Sequence, residues 1–292
     1  MKPAPFDYCC PDTVEEALAV LSANAADAKI MAGGQSLMPM LNFRVVRPQL
    51  VIDISRLLEL DFVRERADAG LTIGALTRHR VLETSPLVAS RFPVIPETMQ
   101  HVAHLAIRNR GTIGGSLSHA DPAGEVPMVV AQLDAQIVVR SVRGERSVDA
   151  KAFFLGPLTS VLEDDEIVVR IEVPGLPAGM GWSFQEFARR PGDFALAAVG
   201  ALIDAPDGRV REARVAMMGV SDTPLRRHEA EALLTGQTLS DGLIRDAVQV
   251  ACRSLEPRQD LHASPEYRRH LAGVLMERVL RQAWARALGD EK

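Results

Sequence analysis

Two short stretches of this chain combine the residue types that hold phosphate: Ala32-Gly33-Gly34-Gln35-Ser36 and Gly111-Thr112-Ile113-Gly114-Gly115-Ser116. Glycine lets a backbone approach a ligand closely and turn consecutive N–H groups toward it, while Ser or Thr hydroxyls beside it donate to phosphate oxygens. Taken singly, each Gly-Gly pair is an ordinary turn signal. Two in one folded segment suggest a single large ligand whose phosphates need about four to six backbone donors and a neutral or positive rim. Ser36, Thr112 and Arg108 or Arg110 could help supply these. A dinucleotide suits two loops better than a mononucleotide. The nicotinamide fingerprint G-x-G-x-x-G and the Gly-Lys-Ser/Thr P-loop are both absent.

No other constellation carries comparable chemistry. His101 and His104 stand three apart, but no carboxylate or third histidine falls at ligand spacing, and the basic run Ile107-Arg108-Asn109-Arg110 disfavours a cation. His119 beside Asp121 is too little for a catalytic pair, so neither a catalytic residue nor a metal site is assigned. Cys9, Cys10 and Cys252 are the only cysteines and none belongs to a C-x-x-C pair, so any metal chemistry sits on another chain.

The elements that position the loops follow from periodicity. Thr13-x-x-Glu16 is a capping box, and Val14, Ala17, Leu18 and Leu21 keep helical spacing behind it. Lys29 to Ala32 reads as a short strand that runs directly into the first loop, and Leu50 to Ile54 reads as the next, giving a β-α-β-like opening. Short strands such as Leu71–Gly74 and Gln136–Val139 then alternate with helices around residues 86–101 and 124–132, and a strand-turn-helix setting is expected for the second loop. The breakers Pro174-Gly175-Leu176-Pro177-Ala178-Gly179 mark a boundary between domains at 1–177 and 178–292. After it come three antiparallel strands: Trp182 and Phe184 alternate with polar neighbours, Phe194 to Ile203 is a buried-type run, and Ala213-Val215-Met217 alternates again. Helices follow, the last with Ser264 as N-cap, Pro265 at N1 and a core stripe of Leu271, Val274, Leu275, Ala283, Trp284 and Leu288.

With 292 residues, 47% of them hydrophobic, the chain can bury two cores, and the fold class is α+β. A net charge of −5 without a basic run argues against nucleic acid or a polybasic membrane patch, and Arg226-Arg227-His228 reads as a solvated turn. No apolar run reaches the roughly eighteen residues of a membrane span, and the N-terminus leads into no apolar signal core, so a cytoplasmic protein is expected. The residues by themselves reach an α+β protein holding a pyrophosphate-containing cofactor.

The wording of the motifs goes further. Ala32-Gly33-Gly34-Gln35-Ser36-Leu37-Met38-Pro39, the run from Arg47-Pro48 to Asp53-Ile54, and the stretch from Ile107-Arg108-Asn109-Arg110 through Ser116-Leu117-Ser118-His119-Ala120-Asp121-Pro122 closely resemble the FAD-binding medium subunits of bacterial molybdenum hydroxylases. That family includes the carbon monoxide dehydrogenase medium subunit and the flavin domain of xanthine dehydrogenase. The resemblance runs from Phe6 to the C-terminal helix. It implies a two-lobed FAD-binding domain of the vanillyl-alcohol-oxidase type, followed by a three-stranded antiparallel sheet with a helical bundle.

By resemblance, backbone groups of Ala32, Gly33, Gly34, Gln35 and Ser36 would hold the pyrophosphate with Thr112, Gly114 and Gly115, and Leu37, Gly111 and Ile113 belong to the same two motifs. Ser116, Ser118, Asp121 and Glu125 match positions near the ribityl and ADP portions, Val102 and Ala103 would lie against the cofactor, and Val168 near the flavin or adenine. Phe194, in Gly192-Asp193-Phe194, stands where the carbon monoxide enzyme has an aromatic hydroxyl, so an aromatic cover is retained without a donor. The lysine that the family often has near Gln185-Glu186 is missing; such a lysine would favour an anionic reduced flavin. The resemblance implies an electron-transfer subunit: a molybdopterin large subunit hydroxylates the substrate, a [2Fe–2S] small subunit passes the electrons, and this chain collects them on FAD for an external acceptor, in a dimer of heterotrimers. The alternatives are a stand-alone FAD-dependent reductase and a non-catalytic nucleotide-binding protein.

Overall fold

In the computed structural model, which describes residues 2–290, the chain opens with β1 (Asp7–Cys9), α1 (Val14–Ala23), β2 (Ala28–Met31), α2 (Leu37–Asn42) and β3 (Leu50–Asp53). The Thr13 hydroxyl caps α1 by accepting from the Glu16 N–H at 3.2 Å, and Val14, Ala17, Leu18 and Leu21 are its buried stripe. The Glu16 carboxylate reaches past Thr13 to accept from the Asp12 N–H at 3.0 Å. β3 lies between β1 and β2 and is parallel to both, so the chain leaves β2 for the first glycine loop at the carboxyl edge of this small sheet.

Next come β4 (Val63–Glu65), β5 (Leu71–Gly74), and the helices α3 (His79–Thr84), α4 (Pro86–Arg91), α5 (Val94–Met99), α6 (Leu105–Arg108), α7 (Ile113–His119) and α8 (Glu125–Gln132). They are followed by β6 (Gln136–Ser141), β7 (Gly144–Asp149), α9 (Ala150–Phe153), the hairpin β8 (Phe154–Gly156) and β9 (Thr159–Ser160), and β10 (Ile167–Val173). The strands make an antiparallel sheet in the order β4-β5-β10-β6-β7. One face, with Leu71, Ile73, Ile137 and Ile171, packs on Phe92, Met99, Leu117 and Met128 of the helical layer. On the other face Val138, Ile167 and Val169 close the core of the opening unit with Leu18 and Ile52. A β-bulge between Val168 and Arg170 shifts the alternation, so that Val168 and Ile171 point into the same core.

The last part is β11 (Gly181–Phe187), β12 (Ala197–Asp204), β13 (Glu212–Met218), β14 (Leu225–Arg226), α10 (His228–Leu234), α11 (Asp241–Arg253) and α12 (Pro265–Leu288). A two-residue fourth strand thus extends the three that periodicity predicts. β12 is buried along its whole length because both faces of the sheet are covered. Phe184, Ala198, Leu202, Ala216 and Met218 join the core of the preceding helical layer, while Val199, Ala201, Ile203 and Val215 pack under Leu234, Ala247, Leu275 and Val279. Ser264 caps α12 and Pro265 opens it as expected, and Leu271, Leu275 and Ala283 are buried, but Leu288 lies exposed at the far end.

Two expectations need correction here. Phe194 does not belong to the buried run; it precedes β12 and is 68% exposed. Arg226 is not in a solvated turn. Its side chain, only 9% exposed, is held between Glu231, 2.7 Å from its Nε, and Asp134, 2.8 Å from a terminal nitrogen that also donates to the Gln132 carbonyl at 3.2 Å. It fastens the last unit to the end of α8. Among the described residues no helix is long and apolar enough to cross a membrane.

Candidate functional site

A cavity of about 850 Å³ lies where these units meet, within the usual range for small-molecule sites. Its walls include the first loop, the 102–104 turn, the second loop with α7, the 158–168 segment and the Gly192–Phe194 turn. Ala32, Gly33, Gly34, Gln35, Ser36, Leu37, Val102, Ala103, Gly111, Thr112, Gly114, Gly115, Ser116, Ser118, Asp121, Glu125, Val168 and Phe194 all line it. Ile113 does not: it sits on the inward side of α7 and is buried in the core.

The first loop supplies donors. Gly34 adopts φ +71°, a conformation that favours glycine, and the Gln35 side-chain amide braces the turn by donating to the Gly33 carbonyl at 2.9 Å. The N–H groups of Gly33, Gly34, Gln35 and Ser36 have no acceptor among the described residues, and the Ser36 hydroxyl caps nothing. Four backbone dipoles and a hydroxyl therefore remain available at one end of a cavity.

The second loop is built differently. It runs between α6 and α7 instead of following a strand, and its only strand-like pairing among the described residues is an isolated antiparallel bridge of Arg78 with Thr112. The Gly111 N–H donates to Ile107, Ile113 to Thr77 and Gly114 to Ala75, at 2.7, 3.1 and 2.9 Å. Thr112 caps α7, its hydroxyl accepting from the Gly115 N–H at 3.1 Å, and Ser118 donates to the Gly114 carbonyl at 2.8 Å. Only the Thr112 N–H lacks an acceptor among the described residues of this stretch. Its glycines serve backbone packing: a Cβ on Gly114 would lie 2.7 Å from Ala75 Cβ, and one on Gly111 2.8 Å from His79 Nδ1. Gly33 makes the reciprocal approach, since its Cβ would fall on the Arg110 carbonyl and 2.9 Å from Gly111 Cα.

Neither arginine that could have helped form the rim lines the cavity. The Arg108 guanidinium is held by Glu83 at 2.9 and 3.3 Å and donates to the Val102 and Ala103 carbonyls at 3.0 and 3.2 Å, which fixes the turn where Ala103 takes φ 44°. Arg110 lies outside the cavity and offers its carbonyl to Arg78. Lys29 is the only Lys or Arg among the described lining residues, which also include Asp121, Glu125, Glu163, Asp164, Glu166 and Asp193. An anion at the first loop would meet N–H dipoles, with Lys29 the one basic side chain of the described lining.

Sequence reasoning missed His79. It is buried, lines the cavity, and its Nε2 lies 3.1 Å from the Thr112 carbonyl and 2.9 Å from Ser116 Oγ. A carbonyl only accepts, so Nε2 carries the proton, and the Ser116 hydroxyl proton is left for a ligand. Burial pushes the imidazole down to about 4, with Arg108 and Arg78 adding to it against the Thr112 carbonyl, so the ring stays neutral. A lone histidine at the start of a short helix carries no sequence signal for this role. The hairpin segment from Leu158 to Asp164 was missed for the same reason.

Residues 4–176 match the family described as the FAD binding domain in molybdopterin dehydrogenase, and residues 182–283 match the CO dehydrogenase flavoprotein C-terminal domain. The chain belongs to this flavoprotein family. It is 42% identical to the 6-hydroxypseudooxynicotine dehydrogenase complex subunit alpha of Paenarthrobacter nicotinovorans, covering 98% of this chain and 97% of that one. It is 41% identical to the caffeine dehydrogenase subunit beta of a Pseudomonas species, over 97% and 96%. Its structure resembles that of a chain of carbon monoxide dehydrogenase from Hydrogenophaga pseudoflava that lacks the Mo-pyranopterin moiety, with TM-score 0.95, 38% identity and coverage of 98% and 99%.

As a member of this molybdopterin dehydrogenase flavoprotein family, the chain is an FAD-binding oxidoreductase subunit. The donor-rich first loop, the elongated wall of two loops and the exposed aromatic ring of Phe194 at the rim all fit FAD. Gln185, in the region where the family often has lysine, turns away to Gln282 of α12 at 3.4 Å.

Proposed function

We propose that this chain is the FAD-carrying electron-transfer subunit of a cytoplasmic complex with a [2Fe–2S] small subunit and a molybdopterin large subunit, assembled as a dimer of heterotrimers. FAD, when bound, accepts electrons one at a time and releases them as a pair to an external acceptor. The chain's own residues bind and orient it. The N–H groups of Gly33 to Ser36 hold the pyrophosphate, the hydroxyl of Ser116, set by His79, donates beside them, and Val102 and Ala103 form an apolar wall fixed by Arg108. Asp121 and Glu125 line the cavity where they would lie near the ribityl and ADP portions, Val168 would lie near the flavin or adenine, and Phe194 would cover the cofactor from the side of the C-terminal unit.

The observation that carries this reading is the row of acceptor-free N–H groups opening onto a cavity large enough for a dinucleotide. The relatives' names support a division of labour. Chains about equally similar to this one serve enzymes named for hydroxypseudooxynicotine and for caffeine, as expected where the organic substrate binds another subunit. Co-purification from the native host, with flavin, iron and molybdenum quantified per chain, tests the proposal. One FAD on this chain, with iron and molybdenum on two associated chains, is the expected result. A yellow chain that purifies alone and turns over a substrate without iron or molybdenum sinks it.

A further inference from the structure

Behind the cavity wall, where the turn after α5 meets β11, three titratable side chains sit together with no part in holding phosphates. Glu125, the first residue of α8, is buried and lines the cavity. Glu186 points inward from β11 with its side chain 6% exposed, and its Oε2 has no hydrogen-bond partner among the described residues. His101 Nδ1 lies 3.5 Å from Glu186 Oε1; the ring rests on Phe184 with centroids 5.1 Å apart and keeps 38% of the side chain in water.

Burial pushes the Glu125 carboxyl up to about 7, helped by the charges of Glu186 and Asp121 and opposed by the helix N–H groups and His101. The Glu186 carboxylate draws His101 upward, and Glu125 and Glu97 act in the same direction. His104, on the same turn as His101, and Asp193 line the cavity, and other charged groups on the surrounding elements have partners. Glu97 accepts from Trp182 Nε1, the Phe184 N–H and Arg286 at 3.1, 2.8 and 2.8 Å; Arg108 is paired with Glu83; His119 lies 4.0 Å from Asp121. A carboxylate oxygen buried without a donor destabilises the fold. Beside a half-exposed imidazole, and near enough for its charge to act on the cavity-lining Glu125, it has a use.

We propose that His101, Glu186 and Glu125 form a proton inlet from solvent to the FAD cavity, supplying the protons that accompany reduction of the flavin. The proposal rests on the reading of this chain as an electron-transfer flavoprotein. Reduction of FAD to FADH₂ consumes two electrons and two protons and forms two N–H bonds, whereas an iron–sulfur donor delivers electrons alone. Each proton enters the cavity as the Glu125 O–H bond breaks. Glu186 reprotonates Glu125, the His101 imidazolium gives up its Nδ1 proton to Glu186, and water restores it.

The test uses the full chain loaded with FAD and reduced methyl viologen, which donates electrons without protons. Stopped flow follows viologen oxidation and, through a pH-indicator dye, proton uptake between pH 7 and about 8. In the wild type the two traces coincide. In Glu186→Gln and in His101→Ala proton uptake lags at least about tenfold, and added imidazole restores His101→Ala but not Glu186→Gln. Coincident traces in both variants overturn the inlet, as does a lag in His101→Ala that imidazole leaves unchanged, because that result assigns the effect to packing. His101 is half exposed, so its variant remains informative if Glu186→Gln does not fold. A wild-type chain that holds no FAD overturns the underlying reading as well, and is recognised by its lack of colour before any kinetics.

Discussion

The two glycine loops look alike in sequence and face the same cavity, yet their backbones do opposite things. Among the described residues the N–H groups of Gly33 to Ser36 have no acceptor, whereas Gly111, Ile113, Gly114 and Gly115 have given theirs to Ile107, Thr77, Ala75 and Thr112. One loop offers donors to the cavity; the other is the scaffold against which it leans. The lesson is that a glycine pair marks a close approach without saying whether a ligand or a neighbouring backbone makes it. Where the two loops touch, at Gly33 on Arg110 and Gly111, both meanings hold at once.

That contrast is most easily broken at the contact itself. Gly33→Ala should force the loops apart, because the new Cβ meets immovable backbone, and FAD affinity should fall more than about 100-fold with a loss of stability of about 1–3 kcal/mol. Equilibrium dialysis and thermal melting measure the two; unchanged affinity would show that the loops are not jointly required.

The next largest effect concerns the scaffold's histidine and the carboxyl across the cavity. His79 is carried from 6.5 to about 4, so the stability it contributes is present above 6.5 and lost as pH falls toward 4. Glu125 is carried from 4.5 to about 7, so its contribution is present below 4.5 and lost as pH rises toward 7. The two slopes oppose each other across nearly one window. Urea titration of the flavin-free chain should therefore show a wild type flatter with pH than either variant. Glu125→Gln should gain stability as pH rises between 4 and 6.5, and His79→Gln should lose it between 4.5 and 7, each by up to about 3 kcal/mol. Parallel profiles would remove both assignments.

The finest test separates surface from scaffold. Ser36→Ala should weaken FAD binding about tenfold and leave the melting temperature of the flavin-free chain unchanged, since its hydroxyl caps nothing and has no partner among the described residues. Thr112→Ala should cost about 1 kcal/mol of stability through the lost cap of α7 and reduce FAD affinity less than Ser36→Ala does. Calorimetric titration and melting on both variants decide it; the opposite ordering would reverse the roles given to the loops.

How much of this was legible in the sequence follows from how local each feature is. The Thr13 cap, the α1 stripe and the run into the first loop depend on residues within one or two turns, and the structure has them. The loop wording pointed to the flavoprotein family, and all but one of the expected residues line one cavity. The division of donors was not legible, because it is set by carbonyls of Ala75 and Thr77, far from Gly114 and Ile113 in the chain. Arg108 and Arg226 misled for the same reason: a basic residue reads as solvated or as an anion ligand until Glu83, Asp134 and Glu231 come to meet it in the fold. Phe194 misled because an apolar residue beside a buried strand was counted with it, although the chain turns there toward the cavity rim.

The core shared by the helical layer and the last sheet has a consequence for how such chains diversify. Met180, Phe184, Ala198, Leu202, Ala216 and Met218 complete a core that begins at Leu71. A recombination breakpoint between the two matched segments, 4–176 and 182–283, would hand each half a face shaped for a different partner. Exchanging either half alone would therefore leave this shared core mispacked, so the two halves work as a matched pair.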